Sequence, residues 1–261
     1  MKADQPVIDS HCHIDLLLEK GVSLNEILED AEENRLEAAI QIAASVESFQ
    51  YSKDLCHTES PVHFYYTVGA HPNETHETDT ESGLVFAREN RDDKAFKAIG
   101  EIGLDYFYSK EHRKTQLEVF NAYLELALEL QKPVCIHTRD AHEDTVDLLK
   151  NVAGQTPILI HCFTGNRKQM EKYLEMGAFI SFSGIVTFKN ALDLQEAAKC
   201  CPAESMLAET DSPYLSPVPY RGKINRPGWV RHVVTYLETL TQNENLPAAL
   251  YQNTRDFYRI D

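Results

Sequence analysis

The segment Val7-Ile8-Asp9-Ser10-His11-Cys12-His13 carries the pattern that decides the fold, a short apolar run followed at once by acidic and histidine residues. Short apolar or β-branched runs recur along the chain, and each is typical of a strand buried on both faces. With the first, the runs are residues 7–8, 38–43, 64–68, 98–102, 134–136, 158–160, 179–182 and 206–208. Helical patterns lie between them, so strands and helices alternate.

The helical patterns show ordinary start and spacing signals. Ser23 and Glu26 form a capping box that predicts a helix start, and the region 227–261 predicts one or two helices with Pro227 in a first turn. Before Pro133, apolar residues recur at helical spacing at Leu117, Phe120, Leu124 and Leu128. No glycine-rich phosphate loop follows an early strand, which weighs against an open doubly wound sheet. We therefore expect an α/β fold, a (β/α)8 TIM barrel, as a single domain over residues 1–261.

Composition limits the function. The 261 residues are 43% hydrophobic and 25% charged, which excludes a disordered chain. The net charge of −16 has the wrong sign for coating a polyanion, so any nucleic-acid contact must be local or metal-mediated. A signal-like start and a membrane-length apolar run are both missing, which predicts a cytoplasmic protein with no membrane contact. Six cysteines without a CxxC pair predict reduced thiols.

Acids and histidines cluster at the ends of the apolar runs. In a parallel barrel these ends share one rim, the C-terminal face where barrel active sites are built. His11 and His13 are two residues apart, so on an extended strand both imidazoles point to the same side. The candidate ligands are His11, His13, Glu101, His137, His161 and Asp211.

Four imidazoles and two carboxylates exceed what one ion requires, so the sequence predicts two divalent ions, Mg²⁺, Mn²⁺ or Zn²⁺. Glu101 lies between the first pair and the later histidines, where a carboxylate can bridge. Two such ions acidify a bridging water and polarise a phosphoryl oxygen. Asp211 is placed to accept the proton of that water or to orient it. His71 by itself is more typical of a hydrogen-bonding residue than of a ligand, and we interpret Asp9 as a hydrogen-bond partner.

Six blocks together resemble the TatD metal-dependent hydrolases. They are 8–15 (Ile-Asp-Ser-His-Cys-His-Ile-Asp), 69–72 (Gly-Ala-His-Pro), 100–106 (Gly-Glu-Ile-Gly-Leu-Asp-Tyr), 137–140 (His-Thr-Arg-Asp), 161–165 (His-Cys-Phe-Thr-Gly) and 209–215 (Glu-Thr-Asp-Ser-Pro-Tyr-Leu). The resemblance implies an amidohydrolase-type barrel, divalent-metal dependence and deoxyribonuclease activity, often 3′-to-5′ on single strands.

The resemblance also implies ligand sets. One metal would be held by His11, His13, Glu101 and Asp211, and the other by Glu101, His137 and His161. His71 would contact a phosphate or support a ligand. Arg226 departs from the family, which more typically has an acid there, and this departure concerns substrate preference.

Substrate contacts are predicted near the same rim. Arg139, Arg221 and Lys223 follow or neighbour strand ends and are placed to reach phosphates, whereas Arg167 and Lys189 are equally typical of solvated loop charges. The aromatic candidates for base stacking are Tyr106, Phe107, Phe163, Tyr214 and Tyr220. The acidic surface favours a single-stranded DNA end as the partner, and no obligate protein partner is inferred.

Two other functions fit the same residues. The two-metal water would also attack an acyl carbon, as in an aminoacyl-tRNA deacylase or a cyclic amidase. Barrel amidases frequently use a carboxylated lysine, and this chain offers Glu101 instead. A metal-stabilised scaffold is disfavoured because structural metal sites are normally closed, whereas this rim is open.

Overall fold

A computed structural model describes residues 5–76, 79–108 and 110–261. Its sheet has eight parallel strands in the order of the chain. The strands are β1 Val7–Cys12, β2 Leu36–Gln41, β3 His63–Val68, β4 Phe96–Asp105, β5 Val134–Arg139, β6 Ile158–Ile160, β7 Phe179–Phe182 and β8 Met206–Ala208. Every predicted run lies on a strand or extends one, because continuous β-branched and apolar runs suit a sheet covered on both sides.

The sheet closes where the chain leaves β8. Asp211 donates its backbone N–H to the carbonyl of His11 at 2.9 Å, and His13 donates to the carbonyl of Ser212 at 2.8 Å. A parallel bridge joins Cys12 to Ser212. These contacts bring the first strand beside the segment after the last one. The predicted (β/α)8 barrel is confirmed.

Helices cover the outside of the barrel. In the described residues they are α1 Ile14–Glu19, α2 Leu24–Glu33, α3 Val46–Cys56, α4 Thr80–Glu89, α5 Arg113–Leu130, α6 His142–Leu149, α7 Arg167–Leu174, α8 Leu192–Cys200, α9 Val230–Thr241 and α10 Leu246–Tyr258. Ser23 and Glu26 form the predicted capping box at α2. Pro227 opens a short 3₁₀ helix that leads into α9, and of the one or two helices predicted for the C-terminal region the structure has two, α9 and α10. None of the described helices combines the length and apolarity that a membrane span requires.

A second buried apolar cluster joins the barrel strands to α10. Ile40, Cys135 and Leu207 from three different strands pack in one buried cluster with Phe257 and Tyr258 of α10. The hydroxyl of Tyr258 donates to the carbonyl of Ser10 at 2.9 Å, which ties α10 to β1. The six predicted ligands lie at the C-terminal ends of their strands or in the segments that follow.

Three strands run further than their apolar residues predict. β1, β4 and β5 continue to Cys12, Asp105 and Arg139 because their backbones keep pairing with neighbouring strands beyond the apolar run. Gly103 pairs with His137, for example, and Asp105 with Arg139. Several polar residues expected after a strand consequently lie on it, where backbone pairing holds them.

Candidate metal centre

The six predicted ligands lie together at the C-terminal end of the barrel. His11, Glu101 and His137 lie on β1, β4 and β5. His13 and His161 directly follow β1 and β6, and Asp211 is the third residue after β8. A cavity of about 730 Å³ opens there. Residues that line it include His13, His71, Glu101, His137, His161 and Asp211. His11 is fully buried beneath them.

Glu101 occupies the middle of the cluster. Its Oε1 lies 2.8 Å from His137 Nδ1 and 2.8 Å from His161 Nε2. Its Oε2 lies 3.3 Å from His11 Nε2 and 4.0 Å from His13 Nε2. The two oxygens of one carboxylate thus face two different pairs of histidines.

Asp211 completes the side formed by β1. Its Oδ1 lies 3.5 Å from His13 Nε2 and 3.9 Å from His11 Nε2. The loop that carries it is held by Asn225, whose side-chain amide donates to the carbonyls of Thr210 and Tyr214 at 2.9 Å and 2.6 Å. The backbone of Asp211 is left-handed, with φ 54°.

The cluster keeps its carboxylates ionised. Burial alone would raise the pKa of Glu101, but the nearby His161 and His71 rings outweigh it and hold that pKa well below its ordinary value. Burial likewise opposes the ionised form of Asp211, and His13 and His11 lower its pKa. Burial of negative charge at this depth is costly without a compensating cation.

The donor set fits a divalent metal. Within residues 5–76, 79–108 and 110–261, the buried Nε2 atoms of His11 and His161 make no hydrogen bond of acceptable geometry, although each faces a Glu101 oxygen, at 3.3 Å and 2.8 Å. Three groups of side chains could each hold an ion, because within each group the ligand atoms lie within 4.8 Å of one another. They are His11, His13 and Asp211; His11, His161 and Glu209; and His71, Glu101 and His137. Imidazole nitrogens with carboxylate oxygens suit Zn²⁺ and other divalent transition ions.

Comparison with known proteins identifies the family of the chain. A family profile described as TatD related DNase matches residues 8–259. The chain belongs to this family. It is 38% identical over 263 residues to the metal-dependent hydrolase YcfH of Escherichia coli K12, covering 98% of this chain and 96% of YcfH. YabD of Bacillus subtilis, also named a metal-dependent hydrolase, is 32% identical and is covered in full.

Solved structures give the same fold. The TatD homologue YjjV of Escherichia coli superposes with a TM-score of 0.89 at 26% identity, covering 98% of each chain. A TatD-family hydrolase of Entamoeba histolytica superposes with a TM-score of 0.84 at 22% identity, covering 97% of this chain and 98% of that one. The protein is therefore a TatD-family metal-dependent hydrolase with histidine and carboxylate clusters suited to metal.

Two acids in this TatD-family centre have no role in the sequence prediction. Asp105 Oδ2 lies 3.2 Å from His137 Nε2, opposite the Nδ1 that faces Glu101. Burial raises the pKa of Asp105, but His137 and the backbone N–H groups of Tyr108 and Phe107 lower it to about 2. The sequence did offer a sign of this role, because Asp105 follows the fourth apolar run and lies in the block 100–106.

Glu209 supports His161 in the same way. It is fully buried, its Oε1 accepts from the backbone N–H of Cys162 at 2.7 Å, and the same oxygen lies 3.3 Å from His161 Nδ1. Partners of this kind orient metal-binding imidazoles and raise their basicity. Asp9, interpreted from sequence as a hydrogen-bond partner, accepts from Thr210 N–H at 2.8 Å and from His11 N–H at 3.3 Å.

His71 lies at the edge of the centre. Its Nε2 is 3.6 Å from Glu101 Oε1, and its Nδ1 accepts from the backbone N–H of Asn73 at 3.2 Å. Burial lowers the pKa of His71 to about 4. A neutral ring whose Nδ1 accepts a hydrogen bond carries its proton on Nε2. Nε2, the nitrogen that Asn73 does not engage, is therefore the one that His71 turns towards Glu101.

The predicted basic residues separate into two groups. Arg139 lines the cavity. Arg221 and Lys223 are exposed on the loop after β8, near Phe188 and Tyr220 respectively, and are not among the described residues that line it. Arg226 turns away from the centre towards α2, where its guanidinium lies 3.7 Å from Glu26 Oε1.

The predicted aromatic residues also separate. Phe163 is buried, Tyr220 stacks on Trp229 with ring centroids 4.1 Å apart, and the hydroxyl of Tyr106 donates to Asp144. Phe107 and Tyr214 are exposed. Tyr108, which the sequence prediction omitted, is exposed and lines the cavity. Its signal was its position next to Phe107, three residues after Asp105.

Proposed function

We propose that this TatD-family hydrolase cleaves phosphodiester bonds in DNA, removing nucleotides from the 3′ end of a single strand with two divalent ions. The observation that carries the proposal is the position of Glu101, whose two carboxylate oxygens face different histidine pairs. The family name and the names of the relatives support it.

In this proposal, His11, His13, Glu101 and Asp211 hold one ion, and Glu101, His137 and His161 hold the other. When bound, the two ions would supply an acidified water and a polarised phosphoryl oxygen. The buried neighbours Asp105 and Glu209 fix the orientation of the His137 and His161 rings.

The remaining steps belong to side chains of this chain. Asp211, an ionised carboxylate beside the cavity, accepts the proton of the attacking water or orients it. His71 donates from Nε2 to a phosphate oxygen, because its Nδ1 is engaged by Asn73. Arg139 contacts the phosphate group from the wall of the cavity.

Arg221 and Lys223 act further out. Because they are exposed on the loop after β8 and outside the cavity lining, they contact phosphates of the strand after it leaves the cleft. The net charge of −16 repels a long nucleic acid elsewhere on the surface, which favours engagement of a chain end.

The decisive experiment offers several substrates to the chelated protein after addition of Mg²⁺, Mn²⁺ or Zn²⁺ in turn. Linear single-stranded DNA labelled at its 5′ end should shorten one nucleotide at a time. Double-stranded DNA, RNA and acylated tRNA should react more slowly. Full turnover in excess chelator, or turnover of the acyl bond alone, would contradict the proposal.

End preference has its own control. A circular single-stranded DNA has the same composition as its linear form but no terminus. We expect it to resist cleavage, and equal rates on the two forms would exclude an exonuclease.

A further inference from the structure

Two exposed aromatic side chains and one half-buried arginine lie in contact at the rim of the cavity. Phe107 and Tyr108 follow β4, and their side chains are 56% and 63% exposed. Their ring centroids are 4.7 Å apart and the rings are nearly perpendicular. The guanidinium carbon of Arg139, at the end of β5, lies 4.0 Å from the Phe107 centroid and 4.7 Å from that of Tyr108. We call these three residues the rim stack.

The rim stack is fixed relative to the metal centre. Oδ1 of Asp105 accepts the backbone N–H groups of Phe107 and Tyr108, both at 2.9 Å. Oδ2 of the same carboxylate lies 3.2 Å from His137 Nε2. One carboxylate therefore positions both a proposed ligand and the two rings, so a group bound on the stack sits at a set distance from the reacting bond.

The charge of Arg139 is available to a ligand. Among the residues that the structure describes, no carboxylate forms an ion pair with Arg139, although acids outnumber bases by 41 to 25 in the chain. Its guanidinium rests on aromatic faces instead and lines the cavity. Two exposed rings beside a free planar cation match an anionic ligand that also carries a flat ring.

We infer that the rim stack binds the unpaired nucleobase of the nucleotide next to the scissile phosphate, an inference that rests on the proposed function. Bases stack on aromatic side chains and on arginine planes, and such stacking tolerates any sequence. A base inside a duplex has both faces covered by its neighbours, so only a frayed or single-stranded end can occupy the stack. The rim stack thereby selects single strands.

The test is a double-mutant cycle: one arm removes the base from the DNA, and the other removes an aromatic ring from the protein. One set of oligonucleotides carries a single abasic residue, moved one position at a time from the 3′ end. The unaltered protein should lose about tenfold in kcat/KM at one or two positions near the end. Tyr108→Leu should lose about tenfold on the intact strand and show no further loss on the abasic one.

A second aromatic and arginine pair provides the control. Tyr251 lies under Arg255 on α10, with the guanidinium carbon 5.5 Å from the ring centroid, away from the cavity. Tyr251→Leu should keep the full abasic penalty. Arg139→Lys keeps the charge but loses the plane of the guanidinium, so it should reduce the penalty as well.

The outcomes separate the two claims. If the unaltered protein cleaves DNA but Tyr108→Leu and Arg139→Lys keep the same abasic penalty as Tyr251→Leu, the rim stack does not bind a base, and the proposed function stands. If the unaltered protein cleaves no nucleic acid with any of the three ions, the proposed function fails and the inference fails with it.

Discussion

At the residue scale, Glu101 is the side chain that contacts most of the histidines in the centre. Its side chain is almost fully buried, and its two oxygens lie 2.8 Å to 4.0 Å from nitrogens of five histidines. A carboxylate in this position offsets positive charge on both sides at once. Removal of it leaves the His137 and His161 side with imidazoles alone.

We expect Glu101→Ala to lose both metals. The charge that serves both ions disappears, so neither proposed site keeps its affinity. Elemental analysis of the purified variant should find far less metal than in the unaltered protein. Two tightly bound ions in Glu101→Ala would show that the carboxylate does not bridge.

Asp211 should behave differently from Glu101. Asp211→Asn keeps one ligand oxygen and the shape of the side chain but loses charge and basicity. Metal content should fall modestly, whereas kcat should fall by roughly 10²-fold or more, the usual scale for a general base. Turnover and metal content measured on the same sample decide the role. Activity near that of the unaltered protein would remove Asp211 from the chemistry.

A substitution of Glu209 tests whether this residue supports the ligand His161 rather than binding the metal itself. Glu209→Gln keeps an oxygen for the Cys162 N–H but loses the charge beside His161 Nδ1. Metal affinity should fall about 10- to 100-fold, the scale for such partners. A competition titration with a metal indicator measures this change. Glu171→Gln, at an exposed ion pair with Arg167, is the matched control and should leave affinity unchanged.

At the element scale, the loop after β8 joins the centre to the outer surface. It carries Asp211 at one end and the exposed Arg221 and Lys223 further along. Asn225 is buried and ties the loop back on itself through Thr210 and Tyr214. The loop therefore holds the proposed phosphate contacts at a fixed place outside the cavity.

Arg221→Ala and Lys223→Ala should weaken binding more than they slow the reaction. A phosphate contact remote from the scissile bond is made equally in the ground and transition states, so KM should rise while kcat changes little. Steady-state kinetics at two salt concentrations measure both. Lys150→Ala, at a surface ion pair with Asp147, is the control. A hundredfold loss of kcat at unchanged KM would exclude this role.

At the scale of the whole molecule, metal binding and folding stability are linked. The centre joins β1, β4, β5 and the segments after β6 and β8, so the ligands assemble only when the barrel closes. An ion that binds the folded chain and not the unfolded one raises the free energy of unfolding, by about 2.7 kcal/mol at a concentration of 100 Kd.

We expect chelation to lower the Tm and added Zn²⁺ or Mn²⁺ to restore it. Scanning calorimetry with and without chelator measures the shift. Glu101→Ala should unfold at nearly the same temperature in both conditions. An unaltered protein whose Tm ignores chelator and metal would contradict a centre built from five parts of the barrel.

The sequence by itself determined the barrel and which histidines and acids lie at its C-terminal end. Short apolar runs followed by histidines and acids predict parallel strands whose polar ends share a rim, and this depends only on local patterning and on the rule that parallel strands align their ends. The capping box of α2 and the two C-terminal helices were readable for the same reason.

Only the tertiary structure decided which side chains meet around those residues. Asp105 and Glu209 support histidines more than 30 residues away in sequence, Arg226 turns to Glu26, and Tyr108 rather than Phe163 faces the cavity. The direction of a loop side chain depends on long-range packing and on the competition among nearby hydrogen-bond partners. No local pattern in the chain encodes that competition, so it becomes defined only when the barrel closes.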